Sequence, residues 1–382
     1  VITHCYQKAK QQNMADTEIV ENVVNSTSND TISGGALGRA AATPQGLLLA
    51  YVSLVVMALL PIWYGSFRSV VFNKKQKESG EKVESMSKKD AAMFPIVASC
   101  ALFGLFLFFK FFNKEYINML LTFYFFVLGV FCVSNLLRPI VCYVLPGSFP
   151  NSNYHAQFCE GEGDGKKTHI DYKFDRIDLV CLVFAAIFGV WYLIKKHWIA
   201  NNLFGLAFSL TGVELLHLNS FPIGCILLGG LFFYDIFWVF GTNVMVTVAT
   251  SFEAPIKLIF PMDFLENGVN GKNFAMLGLG DIVIPGIFIA LLLRYDNSKG
   301  KGSYAYFYAS YISYFLGLLF TVAVLHFFKS AQPALLYLVP ACIGSALLTA
   351  LVKGEISELI KYEDHPEEML ANRTTNSVKK EE

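Results

Sequence analysis

Three carboxylic acids, Glu214, Asp235 and Asp281, stand inside long runs of otherwise uncharged, apolar residues. An ionised Asp at the middle of a bilayer costs about 2.5 to 3.5 kcal/mol, so an acid kept there calls for a use. Two carboxyls that share one site cannot both ionise cheaply, and the second proton is held more tightly than the first. Such a pair offers an acid and a base at once. The base activates water while the acid protonates a carbonyl oxygen, and no covalent intermediate is needed. The same groups would also serve a proton or cation relay in a carrier, and position alone leaves both chemistries open. Glu214 is set apart: it lies near the end of its run with His217 close by, and it is read as structural, reaching the interface or bonding His217.

The elements that must position these acids follow from composition. Of 382 residues, 54% are apolar and only 16% charged, against about a quarter charged in soluble domains. That excludes an ordinary soluble enzyme, a disordered chain and a nucleic-acid binder. Nine apolar runs are long enough to cross about 30 Å of hydrocarbon. They are Leu47–Gly65, Met93–Phe109, Tyr116–Leu137, Leu179–Ile194, Ile199–Leu218, Phe221–Thr250, Phe274–Leu293, Tyr304–Phe328 and Ala331–Val352. They hold about half the chain but only those three charged side chains. Continuous apolar runs point to helices, since a β-barrel would alternate. The expected fold is therefore all-α, a polytopic membrane protein with nine transmembrane helices. If each run were one helix, Asp281 would lie roughly 10 Å below one end of its span and Asp235 about 22 Å below Thr250. An overshoot of the long sixth helix would then bring the two carboxyls face to face.

Three parts are expected: residues 1–46 as a lumenal terminal segment, 47–352 as the membrane domain and 353–382 as a cytosolic tail. Within the membrane domain the acids fall in 221–293, with 331–352 beside them. Residues 1–13 precede Met14 without the apolar core or cleavage site of a signal peptide, and read as a leader or cloning remnant. With the amino terminus outside the cytosol, 20 of the 30 lysines and arginines fall on the cytosolic side, as the positive-inside rule asks. The sequons at Asn25 and Asn29 then face the lumen, where glycosylation is available. Lys379 and Lys380, fourth and third from the carboxyl end, look like a dilysine endoplasmic-reticulum retention signal; a solvated basic tail is the plain alternative. Cys100, Cys132, Cys181, Cys225 and Cys342 fall in spans and read as small packing residues. His155, Cys159 and His169 share a polar loop but have no metal-ligand spacing, so no metal site is expected.

Asp235 follows Tyr234 in Phe232-Phe233-Tyr234-Asp235, Asp281 ends Gly278-Leu279-Gly280-Asp281, and the ninth run opens with Gln332-Pro333-Ala334-Leu335. A Tyr-Asp span, a Gly-x-Gly-Asp span and a later Pro-Ala-Leu, in that order, resemble the intramembrane aspartyl proteases that include presenilin and signal peptide peptidase. Within that family the resemblance is to the signal peptide peptidase branch. The run from Tyr234, the lumenal sequons and the dilysine end look like it, and the 23 residues from Ser251 to Asn273 are too few for the long loop presenilins cut.

The resemblance implies an all-helical aspartic endopeptidase with Asp235 and Asp281 as its catalytic pair and no metal or organic cofactor. It implies that Tyr234, Gly278, Leu279, Gly280, Pro333, Ala334 and Leu335 shape the site or bind substrate. Gly278 and Gly280 would let backbone approach the aspartate, or serve close helix packing. Tyr234 would bond near Asp235 or merely pack, and Pro333 would be an ordinary first-turn proline without the family context. Implied partners are signal peptides and type II-oriented transmembrane segments in the lipid bilayer of the endoplasmic reticulum, with a homo-oligomer or quality-control proteins besides, and no nucleic acid.

Overall fold

The structure is a computed structural model that describes residues 43–79, 85–144, 152–160, 167–242, 254–271, 273–300, 302–328 and 332–364, with Val244, Met245 and Val248. The sequons at Asn25 and Asn29, the segment 1–13 and the lysines Lys379 and Lys380 lie outside them.

Among the described residues nine helices of 18 residues or more follow the nine apolar runs. They are α1 (Pro44–Ser79), α2 (Lys88–Phe111), α3 (Lys114–Val144), α4 (Arg176–Lys195), α5 (Trp198–Leu215), α6 (Phe221–Phe240), α7 (Gly280–Ser298), α8 (Ala305–Phe328) and α9 (Leu335–Lys353). A short α10 (Ile356–Lys361) follows. Seven of the nine are long and apolar enough to cross a membrane; α5 and α7 fall outside that group. Those two carry Glu214 and Asp281, and both are deeply buried: Asn201, Asn202, Ser209 and Glu214 of α5 are covered, as is nearly every residue of α7 from Pro285 to Asp296. Their polar residues set them apart, Asn201, Asn202 and Glu214 in α5 and Arg294 and Asp296 in α7, and each of these is enclosed by protein.

Local chemistry sets the ends. Ser87 caps α2, its hydroxyl accepting from the Asp90 amide while the Asp90 carboxylate accepts from the Ser87 amide. Lys196 is left-handed at φ 44° and ends α4, and His197 Nδ1 accepts from the Ile199 amide at the start of α5. Two residues thus turn the chain into a hairpin of helices, which separates the fourth and fifth runs as expected.

Three short sheets join the helices: β1 (Ser85–Met86) runs parallel to β4 (His217–Leu218), β2 (Asn153–Glu160) pairs antiparallel with β3 (Lys167–Asp175), and β5 (Lys257–Pro261) pairs antiparallel with β6 (Phe274–Gly278). The main core is shared by α1, α6, α7, α8 and α9, with an aromatic knot of Trp63, Phe67, Phe307 and Tyr311. A second core joins α3, α4 and α5. Cys181 and Cys342 are buried as packing residues, whereas Cys100 is exposed.

Three expected spans are corrected. The run Phe221–Thr250 is not one long helix: α6 stops at Phe240 with Gly241 as its cap. Gly241 and Thr242, both poor at continuing a helix, break it there, and Val244, Met245 and Val248 beyond them are helical again. The run Phe274–Leu293 opens as a strand: Phe274–Gly278 is β6, and the helix begins only at Gly280. The run Ala331–Val352 starts its helix at Leu335, so Pro333 precedes the first turn and does not occupy it. The overshoot argument for Asp235 therefore fails, and another geometry aligns the acids. Glu214 stays structural, but its partner is Arg68 Nε at 2.9 Å, while His217 sits 3.4 Å from Ser69 Oγ and stacks on Phe72.

Candidate active site

Asp235 sits late in α6, buried at 5% exposure. Its Oδ2 accepts a hydrogen bond of 3.0 Å from the backbone amide of Leu335. Leu335 is the first residue of α9, where amides have no partner within their own helix. The carboxylate thus caps α9 from another helix and meets the positive end of its dipole. Pro333 and Ala334 lead the chain into that position: the Pro333 carbonyl accepts from Leu336 and the Ala334 carbonyl from Tyr337 and Leu338. Tyr234 is half-buried and packs, its ring 6.4 Å from that of Trp238. Trp238 in turn donates to Ser99 of α2, and Pro95 of α2 occupies the space where a side chain on Gly230 would go.

Asp281 stands in the first turn of α7, where an acidic side chain favours the helix dipole. The strand before it is anchored at both ends. Leu279 donates its amide to the Ile256 carbonyl at 3.0 Å, and its own carbonyl starts α7 by accepting from Ile282 and Val283. Proline at 285 lacks the amide that would have bonded the Asp281 carbonyl four residues back. The hydroxyl of fully buried Tyr314, on α8, fills the gap at 3.1 Å. Asp281 opens on a cavity of about 200 Å³ whose walls include Gly278, Leu318, Thr321, Gln332 and Ala334. A Cβ on Gly278 would lie 3.4 Å from Asp281 Oδ2, whereas Gly280 has open space around it. Gly278 therefore lets the backbone of β6 come close to the carboxyl.

Asp235 and Asp281 both meet the start of α9, Asp235 through the Leu335 amide and Asp281 through the cavity it shares with Ala334. Register explains why. Asp235 is fourteen residues past the start of α6 and Asp281 thirteen before Arg294 near the end of α7, about 21 and 20 Å along antiparallel helices. The two acids so reach one depth from a common base.

Three contributors, Asn201, Asn202 and Tyr314, escaped the sequence reading. Asn201 and Asn202 open α5, and their side chains serve β5: Asn201 Nδ2 donates to the Lys257 carbonyl at 2.8 Å, and Asn202 Nδ2 to the Ile259 carbonyl at 2.7 Å. Asn202 Oδ1 also accepts from the Ile259 amide at 2.9 Å. One amide side chain thus replaces a neighbouring strand on that edge. The adjacent asparagines inside an apolar run were the signal. For Tyr314 the signal was the proline four residues past Asp281.

Acids buried inside a bundle whose outer helices expose hydrocarbon side chains define a polytopic helical membrane protein with polar chemistry at its interior. Comparison with known proteins makes the class specific. Residues 78–366 match the family model for signal peptide peptidase. The chain is 60% identical over 326 residues to human signal peptide peptidase, covering 85% of this chain and 86% of that one. It is 44% identical over 285 residues to intramembrane protease 2 of Caenorhabditis elegans, covering 66% and 61%. A solved structure of a presenilin family intramembrane aspartate protease aligns with 80% of this chain and 98% of its own, at TM-score 0.41 and 16% identity. This chain belongs to the signal peptide peptidase family, and it is an aspartic intramembrane endopeptidase.

Proposed function

We propose that Asp235 and Asp281 are the catalytic pair that hydrolyses peptide bonds within the transmembrane segments of signal peptides and type II-oriented membrane proteins. The observation that carries the reading is that the start of α9 lies against both acids: the Leu335 amide donates to the Asp235 carboxylate, and Ala334 lines the cavity on which Asp281 opens. One carboxylate takes a proton from water as the oxygen attacks the scissile carbonyl; the other gives its proton to the carbonyl oxygen. Collapse of the tetrahedral intermediate returns a proton to the departing amine, and no cofactor enters. Family membership favours this reading over a proton or cation carrier using the same acids.

A helical substrate hides its carbonyls, so it must be extended before attack. Asn202 fills the outer edge of β5, and among the described residues β6 pairs only with β5. That leaves the other edge of β6, running straight into Asp281, to take an extended segment by strand addition. Gly278, Leu279 and Gly280 join this edge to the aspartate, and Pro333, Ala334 and Leu335 form the opposite wall by presenting the Leu335 amide to Asp235. Tyr234 supports α6 by packing. In this reading α5 and α7 also cross the membrane, giving nine spans. The enzyme resides in the endoplasmic reticulum with a lumenal, glycosylated amino terminus and a retention signal at Lys379 and Lys380, alone or with copies of itself and quality-control partners.

Detergent-purified protein incubated with a synthetic signal peptide, products read by mass spectrometry, tests the core of this. Cleavage within the apolar segment is expected from the parent and is lost, by about a thousand-fold or more, in Asp235→Ala and Asp281→Ala. Substantial cleavage by either folded variant removes that residue from the pair.

A further inference from the structure

The far ends of the two aspartate helices are tied by a buried ionic cluster that the reaction does not use. Arg294 on α7 and Asp364, just past α10, pair at 2.7 Å with 2% of each side chain exposed. Asn73 of α1 donates to Asp364 Oδ2 at 2.8 Å, and Lys77 and the Tyr362 hydroxyl approach Oδ1 at 3.1 and 3.2 Å. Arg294 also donates to Ser69 Oγ of α1 at 2.7 Å and to the Leu218 carbonyl at 3.4 Å. The backbone completes the tie: the Asp364 amide donates to the Asn219 carbonyl at 2.7 Å, and Ser220 bridges Glu363.

Leu218, Asn219 and Ser220 lead directly into α6. One guanidinium therefore holds the last turns of α7 to the residues that start α6, and the segment Tyr362–Asp364 seals the joint. A buried ion pair is a poor source of net stability, because desolvation offsets much of the attraction, but it does fix one arrangement against others. What is fixed here is axial register. Asp235 and Asp281 lie at nearly equal distances from this joint, so a slide of α6 along α7 changes the separation of the carboxyls.

We propose that Arg294 and Asp364 are positioning residues: a strap formed by Tyr362–Asp364 sets the register of α6 against α7 and thereby the spacing of the acid pair some 20 Å away. The inference rests on the dyad reading above. It does not need the strap to touch substrate, so binding and turnover should separate. A misplacement of about 1 Å can cost about a hundred-fold in rate.

Two readouts on detergent-purified full-length chain test it. The first is signal-peptide cleavage. Asp364→Asn should lower kcat by about ten- to a hundred-fold with KM within about twofold, and Asn73→Ala and Tyr362→Phe should follow with smaller losses. The second is the yield of a short bis-thiol crosslink between positions 235 and 281 in an Asp235→Cys/Asp281→Cys variant, mapped by mass spectrometry. Adding Asp364→Asn should reduce that yield severalfold. If Asp364→Asn does not fold, the apolar pair Arg294→Met/Asp364→Leu takes its place, since such replacements keep packing without a buried charge. Folded variants with parental kcat, or an unchanged crosslink, overturn the strap. Crosslinking that depends on Asp364 in a parent that cleaves nothing supports the strap and overturns the dyad instead.

Discussion

The two ends of α6 and α7 are built on opposite plans. At the base the central polar groups are enclosed: Arg294, Asp364, Asn73 and Ser69 are buried and bonded in one cluster. At the other end regular structure is broken: α6 stops at Gly241, β6 runs up to α7, α9 starts beside Asp235, and a cavity reaches Asp281. The contrast has a physical reason. A protease acting on a helix in lipid must offer unpaired backbone and let water in, and both are costly where hydrocarbon surrounds them. Irregular backbone is tolerated where protein encloses it, and the rigid base supplies the enclosure without taking part in chemistry.

That contrast makes Asn202 the most sensitive point of the open end outside the acids themselves. Asn202→Leu keeps the volume but leaves the Ile259 amide and carbonyl without their partner. Each buried group left unpaired costs about 1 to 3 kcal/mol. The variant should melt several degrees lower in detergent, and its cleavage should fall as β5 and β6 shift. Unchanged melting and turnover would mean that β5 needs no partner on that edge.

Tyr314→Phe probes a single bond at the same end. Because Pro285 supplies no amide, the Asp281 carbonyl depends on the Tyr314 hydroxyl. Losing it should cost about 1 to 2 kcal/mol and loosen the first turn of α7. A severalfold drop in kcat with little change in KM is expected from steady-state assays. A matched change at the base, Tyr362→Phe, tests whether both ends control the same spacing: the two losses should combine non-additively if they do.

These residues also mark how far the sequence could be read. The nine apolar runs each yield a helix because twenty or so uncharged residues admit little else in lipid, and the two acids stand out by cost alone. The β5–β6 hairpin was hidden because a five-residue apolar strand such as Phe274–Gly278 reads like the start of the helix that follows it. That one confusion put Asp281 deep within a helix when it stands in a first turn. The end of α6 was legible from Gly241, and was passed over because apolarity continued. The base was not legible at all: Arg294 and Asp364 are seventy residues apart, and each alone looks like loop charge. Only folding shows that they meet.

The smallest effect is expected just outside the base, where Lys299 pairs with Glu355 and lies 3.1 Å from Glu358. The hydrogen bond from Lys299 holds the Glu355 carboxyl below its ordinary range, with Tyr306 adding a second at 3.0 Å. A carboxyl depressed in the folded state contributes stability above its unfolded pKa and loses it as pH falls through the folded value. Glu355→Gln should therefore cost about 0.5 kcal/mol at neutral pH, since water screens a partly exposed pair. The difference in melting temperature between parent and variant should close as the pH drops below about 4. Cleavage should be unaffected, because this pair ties α9 to the end of α7 without reaching the joint that feeds α6. A loss of turnover as large as that of Tyr314→Phe would show that the rigid base extends further along α9 than the Arg294 cluster.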